Sequence, residues 1–218
     1  MFNRAEFKSL AKAQISGNIG ILFLCSLVYG AIIFAASLVG SFSPLVGGIA
    51  SSLASFLLTP PFAVSLALIY LALINGVKPV VGDIFKGFEY FAKALWLYFL
   101  VTFFTILWSM LLVVPGIIKG ISYSMAFYIL AENPDMTARE ALNESKRITK
   151  FHIGDLFILE LSFIGWVLLI MVTCGLAAIY VGPYMQATIA NAYKALSAAA
   201  GTGDSFATPA PDAPVIDA

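Results

Sequence analysis

Few side chains in this 218-residue sequence have the chemistry to act on a substrate. Histidine occurs once, at His152, and cysteine twice, at Cys25 and Cys174. That is too few for a His/Cys metal cluster. There is no Ser/His/Asp set, no HExxH zinc motif and no glycine-rich phosphate loop. No catalytic residue, metal or cofactor is therefore expected. His152 follows Lys150 and reads as a headgroup contact rather than a base. The two cysteines lie in different apolar segments and read as free, buried thiols.

What remains are polar groups stranded in apolar sequence. Glu160 stands among Leu, Ile and Phe, and a carboxylate inside a bilayer is a functional suspect by default; only five residues from Asp155, it also fits the hydrated interface. Lys119 fits either a cation snorkelling to headgroups or a point charge inside a bundle, on one helical face with Ser122, Tyr123 and Ala126. Tyr184, Thr188 and Asn191 are spaced to share a face, either for hydrogen bonds between helices or to line a polar cavity. Pro60 and Pro61 together free backbone carbonyls that need partners, at a kink or at a broken helix. Pro60, Pro61, Lys119, Tyr123, Glu160, Tyr184, Thr188 and Asn191 form the candidate polar intramembrane site.

The elements that must carry these groups follow from composition. Apolar residues make up 61% and charged residues 11%, against about 25% charged in a soluble domain. Mean hydropathy is +0.95. Between Lys12 and Lys78 there is no charge, a stretch long enough for two or more bilayer crossings of about 20 residues each. A polytopic membrane protein is implied. Net charge is zero, with 12 basic and 12 acidic residues, so nucleic acid is not an expected partner.

Apolar length and breaks divide the chain into six predicted spans: 19–39, 49–74, 94–114, 117–131, 156–173 and 175–196. Pro115–Gly116 divides the third from the fourth, because proline does not continue a helix. The last hairpin is also open to a five-span or re-entrant reading. One transmembrane domain, 1–198, would precede a disordered tail at 199–218, rich in Ala, Pro, Gly and Asp. The first apolar run is too long and too late for a cleaved signal peptide. Six spans place both termini on one side, with every Lys and Arg except Lys119. The positive-inside rule makes that side cytoplasmic.

The polar stretches before each hairpin read as amphipathic interfacial helices. In one, Ile84, Phe85, Phe88 and Phe91 share a face. In another, Thr137 and Glu140 form a capping-box pattern, opening a helix that runs to about Phe151. In the first, Arg4, Lys8 and Lys12 repeat every four residues. With Lys86, Lys93, Lys146, Arg147 and Lys150 they are the expected contacts of anionic headgroups, the predicted lipid partners. A docking surface for a cytosolic or membrane protein is the alternative use of the same helices.

The segments also repeat. Residues 18–23 match residues 152–157 at four of six positions, and 91–96 falls at the equivalent place in the middle copy. Three units of interfacial helix plus two-span hairpin give an all-α bundle of about six spans in three hairpins, with pseudo-three-fold order. Gly47, Ser51, Ser55, Thr59, Ala63 and Ala67 form a small-residue ridge for close helix approach.

Trp108 to Asp135, Ala141 to His152, Leu161 to Trp166, Pro183-Tyr184 and Tyr193 together resemble a bacterial integral membrane family known as domain-of-unknown-function family 975. The resemblance runs to about Leu196 and implies a multi-spanning bacterial inner-membrane protein; it brings no activity, substrate or catalytic residue. The residues then favour a non-enzymatic accessory or scaffold of the bacterial plasma membrane. The alternative is a small-molecule or lipid carrier using the polar intramembrane site.

Overall fold

The computed structural model describes residues 4–39, 44–111, 113–173 and 175–201. The expected first turn around Ser41 and Ser43, the Cys174 thiol and the tail beyond Gly201 lie outside them. Among the described residues the chain is helical throughout, with no strand.

Helix α1, Arg4–Ser16, buries Phe7, Ala11 and Ile15, one residue per turn, and α2, Ile19–Val39, leaves it at a bend of 90° over Ile19–Ile32. Helix α3, Pro44–Ile74, runs helically through Pro60 and Pro61, so the chain is not broken there. Gly76 ends it with φ at +79°, where glycine carries no Cβ penalty. Val77 N–H then reaches Ala72 O at 2.9 Å and Gly76 N–H reaches Leu73 O at 3.1 Å, a Schellman stop.

A 3-10 segment, Val81–Tyr90, leads directly into α4, Phe91–Leu111. The expected amphipathic stretch is thus a tight helix that docks on α3. Gly87 makes that approach possible, since a Cβ there would meet Pro61 O at 2.0 Å. Its N–H donates to Ser65 Oγ at 2.9 Å, and that hydroxyl donates to Pro61 O at 3.0 Å.

Helix α5, Val113–Tyr123, folds back along α4. Gly116 sits on Ser109, where a Cβ would meet Ser109 Cα at 2.9 Å, and Lys119 lies over Trp108. The block does divide into two candidate spans, with the break between Met110 and Val114, and Pro115 lies in the first turn of the returning helix. The first turn tolerates proline because its N–H has no intrahelical partner there.

Helix α6, Ala126–Glu132, continues the return after a turn at Ser124–Met125. The capping box opens α7, Ala138–Thr149, as expected: Thr137 N–H donates to Glu140 Oε2 at 2.8 Å and Glu140 N–H to Thr137 Oγ1 at 3.3 Å. Helices α8, Ile153–Leu161, and α9, Ile164–Val172, meet at the Ser162–Phe163 turn, and α10, Ala178–Ala199, ends the described chain with Pro183 inside it.

Among the described residues four helices are long and apolar enough to cross a membrane: Ser52–Ile74, Val81–Met110, Val114–Glu132 and Ile153–Val172. The bent pair α1–α2 brings a fifth if it counts as one span. The outside of the bundle is apolar to match. Trp96, Phe99, Phe103 and Leu107 of α4 are exposed, and α9 buries no residue at all. A water-soluble fold seldom presents such continuous apolar surface, whereas hydrocarbon is its natural solvent. The chain has the architecture of an integral membrane protein.

Candidate functional site

The densest polar constellation lies where α6 meets α10. Tyr128 and Glu132 are one turn apart on α6, and Tyr193 and Lys194 approach from α10. Tyr193 donates its hydroxyl hydrogen to Glu132 Oε2 at 2.5 Å, and the Lys194 ammonium reaches Oε1 at 2.6 Å. Both carboxylate oxygens are thus occupied, one by a neutral donor and one by a cation. Ser197, one turn beyond Tyr193, hydrogen-bonds the same phenol. The Tyr128 ring stacks on Tyr193 at 5.5 Å, and its hydroxyl donates to Gln186 Oε1 at 3.1 Å. Tyr193 is 1% exposed, so its hydroxyl has only protein partners.

This arrangement holds helices together with balanced charge. The adjoining cavity, lined by Ile129, Met136, Glu144, Ile148 and Tyr193 among others, has a volume of about 10 Å³. That is about the least a single water needs.

A second junction ties α10 to the N-terminal helix. Asn191 Nδ2 donates to Gln14 Oε1 at 2.7 Å, and Gln14 Nε2 donates back to Asn191 Oδ1 at 3.3 Å. A third caps α5. The Ser122 carbonyl lies in the last turn of that helix and accepts from Ser145 Oγ at 2.8 Å and from Thr149 Oγ1 at 3.4 Å, both on α7.

The sequence-derived polar residues take separate stations. Pro60 and Pro61 are buried under the 3-10 segment. Lys119 lies over Trp108 at 5.1 Å, and Tyr123, 2% exposed, lies under Lys146 at 5.4 Å. Tyr184 packs on Phe163 and Trp166, with ring centroids 6.0 and 5.6 Å away. Thr188 donates to Tyr184 O within its own helix, and Asn191 meets Gln14. Glu160 is on the exposed surface of α8. Lys119 and Tyr123 share one face of α5, and Tyr184 and Thr188 share one turn of α10.

Several of the expected headgroup cations have protein partners. Lys8 donates to Ser162 Oγ at 2.7 Å, Lys86 pairs with Asp83 at 2.9 Å, and Lys93 donates to the Pro134 carbonyl. Arg147 clasps Glu144 through two nitrogens at 2.8 and 2.7 Å, which raises its pKa. Lys150 lies over the exposed ring of Phe151, Lys12 is exposed, and Arg4 is half-buried. His152 Nδ1 lies 3.2 Å from Asp155. Cys25 is a buried free thiol.

Glu132, Tyr128, Gln14 and Gln186 do not stand out in the sequence. Glu132 reads there as the first residue of a polar stretch, and its partners stand 61 and 62 residues away. Its one-turn spacing from Tyr128, at the end of an apolar block, is the available signal.

No curated protein and no solved structure matches the chain. Residues 110–200, which contain α5 to α10 and the whole Glu132–Tyr193–Lys194 cluster, match the model of the family described as Protein of unknown function (DUF975).

Proposed function

We propose that the protein is a non-enzymatic accessory or scaffold component of a bacterial cytoplasmic membrane. The observation that carries this reading is the mutual satisfaction of the central polar groups. Glu132 is held by Tyr193 and Lys194, Asn191 by Gln14, and Gln186 by Tyr128, beside a cavity of about 10 Å³. An enzyme or a carrier working at this cluster would need a space of its ligand's size there, typically several hundred Å³. These groups fix helix positions instead, which suits a protein that presents surfaces.

In this reading both termini are cytoplasmic. The pairing of α1 with α10 supports termini on the same side. The 90° bend between α1 and α2 supports an interfacial α1 ahead of a crossing α2. Six crossings in three hairpins require α2 and α10 to cross as well as the four helices that qualify by length and composition. The exposed polar side of α7, with Arg139, Glu140 and Asn143, is the cytosolic surface offered to a partner.

The test is gentle detergent extraction of the tagged chain from its host, with mass spectrometry of everything retained. A protein partner recovered in stoichiometric amount is expected, and charge reversal at Arg139 together with a new acid at Asn143 releases it. Recovery of no protein, with one small molecule retained instead, overturns the reading in favour of a carrier.

A further inference from the structure

Lys119 and Lys146 stand 27 positions apart in sequence, on α5 and α7. By the positive-inside reading they belong to opposite membrane faces. The fold brings them to one face of α4. Lys119 Nζ lies over the Trp108 ring at 5.1 Å, and Lys146 Nζ lies 5.9 Å from the Phe104 ring. Phe104 and Trp108 are one helical turn apart, about 6 Å along the axis. Tyr123, one turn beyond Lys119 on α5, completes the wall at 5.4 Å from Lys146.

Two like charges held this close repel. Desolvation lowers the Lys146 pKa, and repulsion from Lys119 lowers it further. Nothing negative offsets this. Among the described residues, neither ammonium has a carboxylate within ion-pair distance. The acids on neighbouring elements are otherwise placed: Glu144 pairs with Arg147, Glu140 caps α7, and Glu160 faces outward from α8. Lys146 spends one donor on Asn143 Oδ1 at 3.3 Å. The aromatic faces offer partial compensation, about 0.5–1 kcal/mol each at exposed sites. They also fix both cations in place.

The surroundings indicate the kind of anion. Phe103, Leu107 and Ile118, next in sequence to Phe104, Trp108 and Lys119, are 50%, 52% and 41% exposed and belong to the bare apolar surface of α4 and α5. A paired cation beside a bare apolar wall matches a ligand that is anionic at one end and hydrocarbon at the other. We propose that Lys119 and Lys146 form a binding site for the phosphate of an anionic phospholipid, whose acyl chains lie along the exposed apolar side chains of α4 and α5. The site needs no protein partner, on which the scaffold reading stands or falls, but it sets Lys119 beside Lys146, against the separation that the charge count of the six-span topology implies.

The full chain, purified in neutral detergent, is titrated separately with short-chain phosphatidylglycerol, short-chain phosphatidylcholine and inorganic phosphate. Binding is read as protection of Lys119 and Lys146 from an amine-reactive label, residue by residue, with the exposed Lys12 as internal reference. Phosphatidylglycerol protects both lysines together and leaves Lys12 reactive. Inorganic phosphate at the same concentration does not protect them. Lys146→Gln raises the phosphatidylglycerol concentration that half-protects Lys119 by about tenfold, and Lys146→Arg restores it. Equal protection by phosphatidylcholine, or none by either lipid, overturns the proposal. Equal protection by inorganic phosphate overturns the lipid assignment. The first comparison uses the unaltered chain, so misfolding of a variant does not change its outcome.

Discussion

Tyr193 donates a 2.5 Å hydrogen bond to Glu132 and so ties the last helix of the described chain to α6, with Lys194 balancing the charge. Hydrogen bonds to charged groups contribute about 1.5–3 kcal/mol in water-soluble proteins, and interhelical ones in membranes average about 0.6 kcal/mol with a maximum near 1.7. Glu132 and Lys194 are partly exposed, at 25% and 33%, which favours the lower range. Tyr193→Phe is therefore expected to lower stability by about 1 kcal/mol, measured by unfolding in a fixed detergent. In a double-mutant cycle with Glu132→Gln, the combined loss should be less than the sum of the two single losses. Strict additivity would show that the two groups do not interact in solution.

Gln14 and Asn191 exchange two hydrogen bonds between α1 and α10. Removing one partner leaves the other amide short of its bonds, whereas removing both leaves an apolar contact. Gln14→Leu and Asn191→Leu should each destabilise by about 1–2 kcal/mol. The double variant should be no worse than either single one. The α1–α10 junction also predicts that deleting residues 1–16 lowers the melting temperature more than either substitution, because Phe7, Ala11 and Ile15 are removed with it.

Much of this fold is written locally. The Thr137/Glu140 pattern marks the start of α7 within its own turn, and the apolar lengths mark the crossing helices. The Ile84/Phe88 spacing signals a helix, although it does not reveal that Gly87 turns that helix onto Ser65. The candidate site is legible only in part. Asn191 stands out as a polar group in apolar sequence; Glu132 does not, because its meaning lies in partners on α10 brought near by three intervening helices. Lys119 is the sharpest case. Counting charges across membrane faces separates it from Lys146, but α7 packs on α4 and α5 and brings the two together.

Gly87 and Gly116 occupy the two tightest helix contacts among the described glycines. An added Cβ would meet the Pro61 carbonyl oxygen at 2.0 Å in one case and Ser109 Oγ at 2.2 Å in the other. Backbone at Pro61 cannot rotate aside; at Gly116 the Ser109 hydroxyl can, which leaves the milder backbone contact with Ser109 Cα at 2.9 Å. Overpacking of this kind costs about 1–3 kcal/mol. Gly87→Ala should fall at the upper end of that range and Gly116→Ala at the lower. Gly154→Ala, with nothing within 4 Å of its Cβ, is the control and should be neutral or slightly stabilising. Thermal melts of the three variants in one detergent rank them. Equal melting of Gly87→Ala and Gly154→Ala would refute the docking of the 3-10 segment on α3.

The Glu140 carboxylate carries a pH signature. Its pKa is held below the ordinary 4.5 first by the Thr137 backbone N–H and then by the Thr137 hydroxyl, with a smaller contribution from Lys93. A carboxyl whose folded pKa is depressed stabilises the folded state above its unfolded pKa. That contribution is lost as pH falls from 4.5 through the folded value. Above this window the cap is intact and its contribution does not change with pH. Glu140→Gln should therefore melt below the parent at neutral pH, and the gap should close as the medium is acidified below 4.5. Thr137→Val removes one of the two contacts that depress the pKa and should narrow the same window from its acid end. A gap that stays constant across the acid range would mean that the Glu140 charge takes no part in holding the start of α7.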